Sequence, residues 1–537
     1  MEGDQNPFPH PAPRGRGSRN GSAGDSGGKR FGRPLEGRPR GLYFHVFLSP
    51  VSNPSFNDRG RATRMAKAKT VDRPSGVEKR LVSVSLPVPD VGPEVLLRLG
   101  RGMARGFWAF EGRWFAHIGR AATVEIASSE DRADRFGKVW AEARNIFSCS
   151  WKDPQSQVNP PSPKLFGGFS FRNDHVAEDP WEHFPSAHFV LPEMELMGGE
   201  ESGVLTLRRL HVPSANPARC RQELREEVAA VRDRLTARPS ETPPSDVWVP
   251  ATRLETDLEA WSAIVDRALA EVATGALSKV VLARVQAVSF EGVMDPVDVV
   301  LNLWRENPGS RVFLFEPAPG HVLLGAAPET VATVQAGVLQ ATAVAGSVAR
   351  GNTPDEEKAW AKKLLRSEKD RREHQVCVAD MLARLAGISR DIQAEPEPRV
   401  LTLSAIQHLE TAITSRLNPD ETILSALDAL HPTPCVCGLP RDRALAFIEE
   451  EEPFQRGWYA GPVGWFDSEG NGAFVPALRS AVSRGKDWRL FAGAGIVAGS
   501  DPSREWSETR IKFQPVLKAL SGARSHHSSE EEEAPES

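Results

Sequence analysis

Between residues 106 and 126, aromatic and apolar residues alternate with polar ones in short runs, the period-two pattern of half-buried strands. Helical spacing takes over across 131–147. Residues 163–171 (PKLFGGFSF) return to a strand pattern, interrupted by Gly167 and Gly168, which suit a bulge or a close backbone contact. Residues 188–194 and 203–210 predict a hairpin around MGGEES. Leu224, Val228, Val231 and Leu235 then form an apolar stripe at helical spacing. A linker rich in Pro and Thr, 238–250, closes this half of the chain.

The second half opens on a marked helix start. Thr256 and Glu259 have the spacing of a capping box, in which the hydroxyl caps an orphan N–H and the carboxylate reaches back. Leu258, Trp261, Val265 and Val272 supply the apolar positions, and Gly275 ends the helix. A strand follows over 278–285, with Lys279, Val281 and Ala283 on one face. A lysine there is either an edge-strand amine facing water or a functional group, and the pattern leaves both readings open. Thr353, Pro354 and Glu356 mark the start of a long helix that carries Asp370, Glu373 and Cys377 on one face. Near the C-terminus, Glu505, Glu508 and Lys512 share a second helix face.

Composition narrows the class. The 537 residues are 40% hydrophobic and 26% charged, enough apolar material for a large globular core. A net charge of −5 offers no footprint for nucleic acid or an anionic membrane, and no apolar run is long enough to span a bilayer. The five cysteines are odd in number and scattered. Cys435-Val-Cys437 lacks the spacing of common zinc or redox pairs, which implies reduced thiols and a cytoplasmic setting. Residues 1–75, rich in Gly, Pro, Arg and Ser, read as a disordered N-terminal extension. Two origins stay open for it: an upstream extension with Met65 as an alternative start, or a plastid transit peptide over residues 1–64. Residues 76–250 and 251–521 read as two parts of one α+β unit, and 522–537 as a solvated acidic tail that includes His526 and His527.

Seven short segments in a fixed order carry the chemistry. They are SKVVLAR (278–284), GAAPET (325–330), SEKDRREH (367–374), HPTPCVCGLP (431–440), RGWYAGPVGW (456–465), ALRSA (477–481) and AGAGIVAGSDPSREWSETRIK (492–512). Together, over roughly residues 254–520, they resemble the chorismate-utilising enzymes, a family of isochorismate, salicylate, anthranilate and aminodeoxychorismate synthases. The resemblance implies a fold of two large, mostly antiparallel β-sheets packed together, with helices outside and the active site between the sheets.

It also implies roles. Lys279 matches the lysine base that activates water in isochorismate synthases, which requires a neutral amine and so a lowered pKa. Glu329 matches the general acid, whose pKa must be raised by a partly dry site. Glu373 and Glu508 match magnesium ligands, with Glu505 as an outer partner. Arg479 and Lys512 match cationic contacts to the two carboxylates of chorismate. Gly346-Ser347 and Gly493 to Gly495 can bring backbone N–H groups close to an anion, because glycine permits close approach, and His408 and Tyr459 match pocket-lining positions. The implied activity is Mg²⁺-dependent conversion of chorismate to isochorismate.

Some positions depart from the family pattern. Ala345 stands where aminodeoxychorismate synthases place a nucleophilic lysine, which argues against that activity. Cys435 replaces a usual Ala, and Ala473 replaces an acid. Two alternatives remain open on these residues: a salicylate synthase that goes on to eliminate pyruvate, and a degenerate homologue that binds chorismate without turnover.

Overall fold

The computed structural model describes residues 80–526, apart from 90, 128–133, 153–160, 200–202, 212–216, 238–250, 255, 404 and 524. The expected N-terminal extension, the 238–250 linker and the tail beyond His526 lie outside these residues. Within them, 21 strands join in one hydrogen-bonded network. All pairings are antiparallel except that of Arg80–Val88 with Ser150–Lys152.

The network branches at the strand Ala187–Gly198. Strand Arg113–Ile126 covers one of its edges from end to end. The opposite edge is shared: Lys164–Phe169 pairs with its first residues and Gly203–His211 with its last. One arm runs from Arg113–Ile126 through Arg105–Phe110, Arg311–Ala318, His321–Ala327, Ser480–Arg484 and Asp487–Ile496 to Lys279–Ser289. The other runs from Lys164–Phe169 through Pro462–Asp467, Gly472–Pro476, Ala332–Gln335 and Val338–Ala349 to Ile406–Leu417.

Side-chain alternation fills both faces of each arm. On Arg311–Ala318, Phe313 and Phe315 enter the core between the arms, where they join Phe166, Trp458 and Val463. Val312 and Leu314 point the other way, toward helices Pro93–Leu99, Pro217–Thr236, Pro296–Glu306 and Pro502–Ser521. The second arm is covered outside by helices Arg135–Ser148, Glu368–Leu385 and Ile423–Leu430, through Phe136, Met381 and Leu427. The result is four layers: helices, sheet, sheet, helices. This is the expected α+β class, with the refinement that one strand joins the two sheets. Strands from both halves of the chain interleave in each arm.

Several local expectations need correction. The helix Leu258–Thr274 is capped by Asp257, whose carboxylate accepts from the Ala260 N–H at 2.8 Å, while the Thr256 hydroxyl has no partner. The long helix expected from Thr353 is two helices, Pro354–Arg366 and Glu368–Leu385. Ser367 breaks it: its backbone is extended, and its hydroxyl caps the second helix at the Asp370 N–H. Gly167 and Gly168 make no bulge. They lie in continuous pairing, and a Cβ on Gly167 would sit 1.9 Å from the His188 carbonyl oxygen. Only a residue without a side chain lets these strands approach.

Candidate active site

A cleft enclosing about 700 Å³ of space, open solvent included, lies between the two arms. Every residue expected at the site lines it: Lys279, Glu329, Gly346, Ser347, Glu373, His408, Tyr459, Arg479, Gly495, Glu508 and Lys512. They arrive from strands of both arms, two helices and the turns after Ala327, Arg456 and Ala477.

Backbone geometry explains much of this convergence. In the ladder between Val338–Ala349 and Ile406–Leu417, Ala345 pairs with Leu409 and Ser347 with His408, so Gly346 is an unpaired bulge. Gly346 has φ 77°, a left-handed conformation that glycine adopts without strain. The bulge breaks the alternation, and the consecutive residues Val344, Ala345, Gly346 and Ser347 all line the cleft. Across the first arm, Gly493 pairs with Ala283 and Gly495 with Val281. A Cβ on Gly495 would meet Glu373 Oε1 at 2.6 Å. The bare backbone there is what lets Glu373 lie over the strand beside Lys279.

Lys279 is buried, and its Nζ lies 2.9 Å from Glu373 Oε1 and 3.3 Å from Cys377 Sγ. Burial works against the ammonium charge, but the Cys377 sulfur and the Glu373 carboxylate outweigh it and raise the pKa. This corrects the expectation of a lowered value: burial supplies the downward push, and the ion pair reverses it. Glu329 behaves as expected. Burial pushes its carboxyl up to about 8, against the pull of Lys279, Lys512 and Arg479.

A chain of donors crosses the cleft. Arg479 Nη2 donates to His408 Nε2 at 3.1 Å, and His408 Nδ1 lies 2.9 Å from Ser347 Oγ. Burial and the Arg479 charge hold His408 far below its usual pKa, so the ring is neutral and its Nδ1 carries the proton. Ser347 Oγ accepts that proton's hydrogen bond and donates its own to Glu508. Burial lowers Arg479 to about 10. An incoming carboxylate would relieve this penalty.

Glu508 also pairs with Lys512 at 2.6 Å, and Lys512 donates to the Gly493 carbonyl at 2.8 Å. Burial disfavours charge on Glu508, but Lys512 and Ser347 overcome it and hold the pKa down. Glu505 faces the opposite balance. Burial and the Glu508 charge raise it, and it contacts Lys369 at 3.3 Å. Glu373 and Glu508 are thus two half-buried carboxylates on separate helices, a hard oxygen donor set that fits a divalent cation keeping several of its waters.

Sequence reasoning assigned no role to Glu452, Arg456 or Phe491. Arg456 donates from Nε to Glu452 at 2.8 Å, and to the carbonyls of Val281 (2.7 Å) and Val436 (3.0 Å). Glu452 in turn accepts from the Ala283 N–H at 2.7 Å. This buried pair clamps the Lys279 strand to the turn that carries Cys435. Arg456 opens the RGWYAGPVGW segment, so its motif was visible, but its partner was not. Tyr459 stacks on Phe491, with ring centroids 5.0 Å apart, and both line the cleft. Of the departures, Cys435 lines the cleft and hydrogen-bonds to Cys377, while Ala473 packs into the core between the arms. All five cysteines are free thiols.

Comparisons with known proteins place the chain in a family. A family model described as chorismate binding enzyme matches residues 66–521. The isochorismate synthase MenF of Bacillus subtilis is 29% identical over 83% of this chain and 94% of its own. The salicylate biosynthesis isochorismate synthase of Pseudomonas aeruginosa is 35% identical over 67% of this chain and 75% of its own. Among solved structures, MenF of Escherichia coli, a menaquinone-specific isochorismate synthase, shares the fold with a TM-score of 0.66 at 24% identity, covering 83% of this chain and 95% of that one. No helix among the described residues is long and apolar enough to cross a membrane.

Proposed function

The chain belongs to the chorismate-binding enzyme family, and on that premise we propose that it is a Mg²⁺-dependent isochorismate synthase acting on chorismate in this cleft. One observation carries the reading: a lysine and a high-pKa carboxylic acid, Lys279 and Glu329, share one small cleft with two carboxylates and two further cations.

Glu373 and Glu508 would hold the metal, and Gly495 leaves room for the Glu373 carboxylate. When bound, Mg²⁺ supplies Lewis-acidic charge that holds the ring carboxylate and offsets the charge of Glu373. Burial by itself favours the neutral amine at Lys279, and Glu373 is one of the groups that oppose it, with Cys377 and Cys435. The amine takes a proton from water as the water oxygen bonds to C2 of chorismate. The ring double bonds shift from C1=C2 and C5=C6 to C1=C6 and C4=C5. The C4–O bond breaks, and Glu329 gives its proton to the departing hydroxyl. One water enters and one leaves, so the net change is isomerisation, and the proton returns from Lys279 to Glu329 through solvent.

Binding falls to the anion-recognising groups. Arg479, oriented by His408, and Lys512 take the substrate carboxylates, with the N–H groups around Gly346, Ser347 and Gly495 close by. Ala345 offers no nucleophile at the bulge, which supports water as the attacking group.

Incubation of the purified protein with chorismate and Mg²⁺, followed by chromatography, tests the reading. Isochorismate alone is the expected product. Salicylate with pyruvate would point to the elimination activity, and no product would leave a binding protein.

A further inference from the structure

Away from the cleft, Glu182, His183 and His321 bring one carboxylate oxygen and two imidazole nitrogens within 4.8 Å of one another. The sequence order Trp181-Glu182-His183-Phe184 explains how. Trp181 and Phe184 are 1% and 0% exposed, so the two residues between them are turned outward and held there. His321 opens the strand His321–Ala327 directly after the left-handed Gly320, at the tip of a hairpin. The two imidazole rings lie 4.2 Å apart, centre to centre. The Nδ1 of His321 is buried and has no hydrogen-bond partner, which is costly unless something else satisfies it.

We propose that Glu182, His183 and His321 form a second metal site, separate from the cleft, for a borderline divalent transition-metal ion such as zinc. Two imidazoles and a carboxylate suit zinc and are poor ligands for Mg²⁺. Zinc bonds of about 2.0–2.2 Å would need the donors to draw closer, and the exposed Glu182 and His183 side chains are free to do so. The surrounding charges allow it. Glu182 pairs with Arg484 at 3.3 Å, but Arg484 also pairs with Asp179 at 3.3 Å, so releasing Glu182 leaves Arg484 neutralised. Asp179 additionally faces Arg489.

The site would tie the 181–184 turn to the 311–327 hairpin. Trp181 packs on Phe491 with ring centroids 5.7 Å apart, and Phe491 stacks on Tyr459 in the cleft wall. A metal there would brace that wall from behind.

Calorimetric titration of Zn²⁺ into the full chain, with Mg²⁺ saturating the cleft, tests the proposal. One zinc should bind, and His183→Ala and His321→Ala should each weaken it by at least about tenfold, a scale that even outer partners of metal ligands reach. His183 is exposed, so its variant should keep the fold. Zinc should raise the thermal midpoint of the parent protein and leave that of His183→Ala unchanged. With Cu²⁺ as a spectroscopic probe, paramagnetic resonance should show two coordinated imidazole nitrogens in the parent and one in each variant. Absence of zinc uptake would overturn the proposal. So would uptake that survives both substitutions, since it would belong to the thiols, the cleft carboxylates or the His526–His527 pair.

Discussion

Lys279 Nζ and Glu373 Oε1 lie 2.9 Å apart, with side chains only 3% and 9% exposed. The residue matched to the base is therefore held as an ammonium by a residue matched to the metal. Removing the amine should have two effects. Lys279→Ala should lower the rate at least about a hundredfold, the usual scale for loss of a general base. The same change frees Glu373 from a competing cation, so Mg²⁺ affinity should rise. Steady-state rates and Mg²⁺ titration of this variant check both, and parent-like turnover would remove Lys279 from the mechanism.

Metal dependence should follow the carboxylates. EDTA should abolish activity and Mg²⁺ restore it. Glu373→Gln and Glu508→Gln should each weaken Mg²⁺ binding, because a neutral amide is a poorer ligand for a hard cation. Gly495→Ala should do likewise, since its Cβ would sit 2.6 Å from Glu373 Oε1. Calorimetry with Mg²⁺, alone and with chorismate, reads all three. Affinities unchanged across the set would detach these residues from the metal.

Glu329 sets a pH limit. Its carboxyl is raised to about 8, so the acid form is lost as pH climbs through that value and the rate should fall there. Stability should move in the same direction. Between the ordinary value of 4.5 and about 8, the folded protein keeps a proton that the unfolded chain releases. Stability therefore decreases with rising pH across that window, by up to about 1.4 kcal/mol per pH unit. Glu329→Gln should abolish the rate and remove this slope. Thermal melts of parent and variant at several pH values would show parallel curves if the glutamate is an ordinary exposed acid.

The Arg456–Glu452 clamp should matter for stability before chemistry. Glu452→Gln leaves a buried guanidinium without its countercharge, a change that costs about 3–5 kcal/mol when a buried pair is broken. Denaturant unfolding should show this loss. A variant as stable as the parent would mean that the clamp contributes nothing net.

Lys279, Glu329, Glu373, Tyr459, Arg479, Gly495, Glu508 and Lys512 were legible because each sits in a short segment whose neighbours carry the same information. The elements were legible for a related reason. Period-two alternation along 106–126 and the apolar stripe at Leu224, Val228, Val231 and Leu235 reflect one chain's own geometry against a core. Caps were less secure. Thr256 and Asp257 are adjacent residues able to cap the same helix, and it is Asp257, with an extended backbone, whose carboxylate reaches the Ala260 N–H. Ser367 lay inside an otherwise unbroken helical pattern, which hid the break it makes.

Only the tertiary structure decided which groups face each other. The pairing of Lys279 with Glu373 depends on a strand of one arm meeting a helix laid against the other. Likewise, the Arg479–His408–Ser347–Glu508 chain runs through four separate elements. The union of the two sheets through Ala187–Gly198 rests on one edge being long enough for two partners. Local sequence sets backbone preference and burial pattern through neighbouring atoms. The pKa of a buried amine is set by whichever charges the finished fold brings beside it, and that is not a local property.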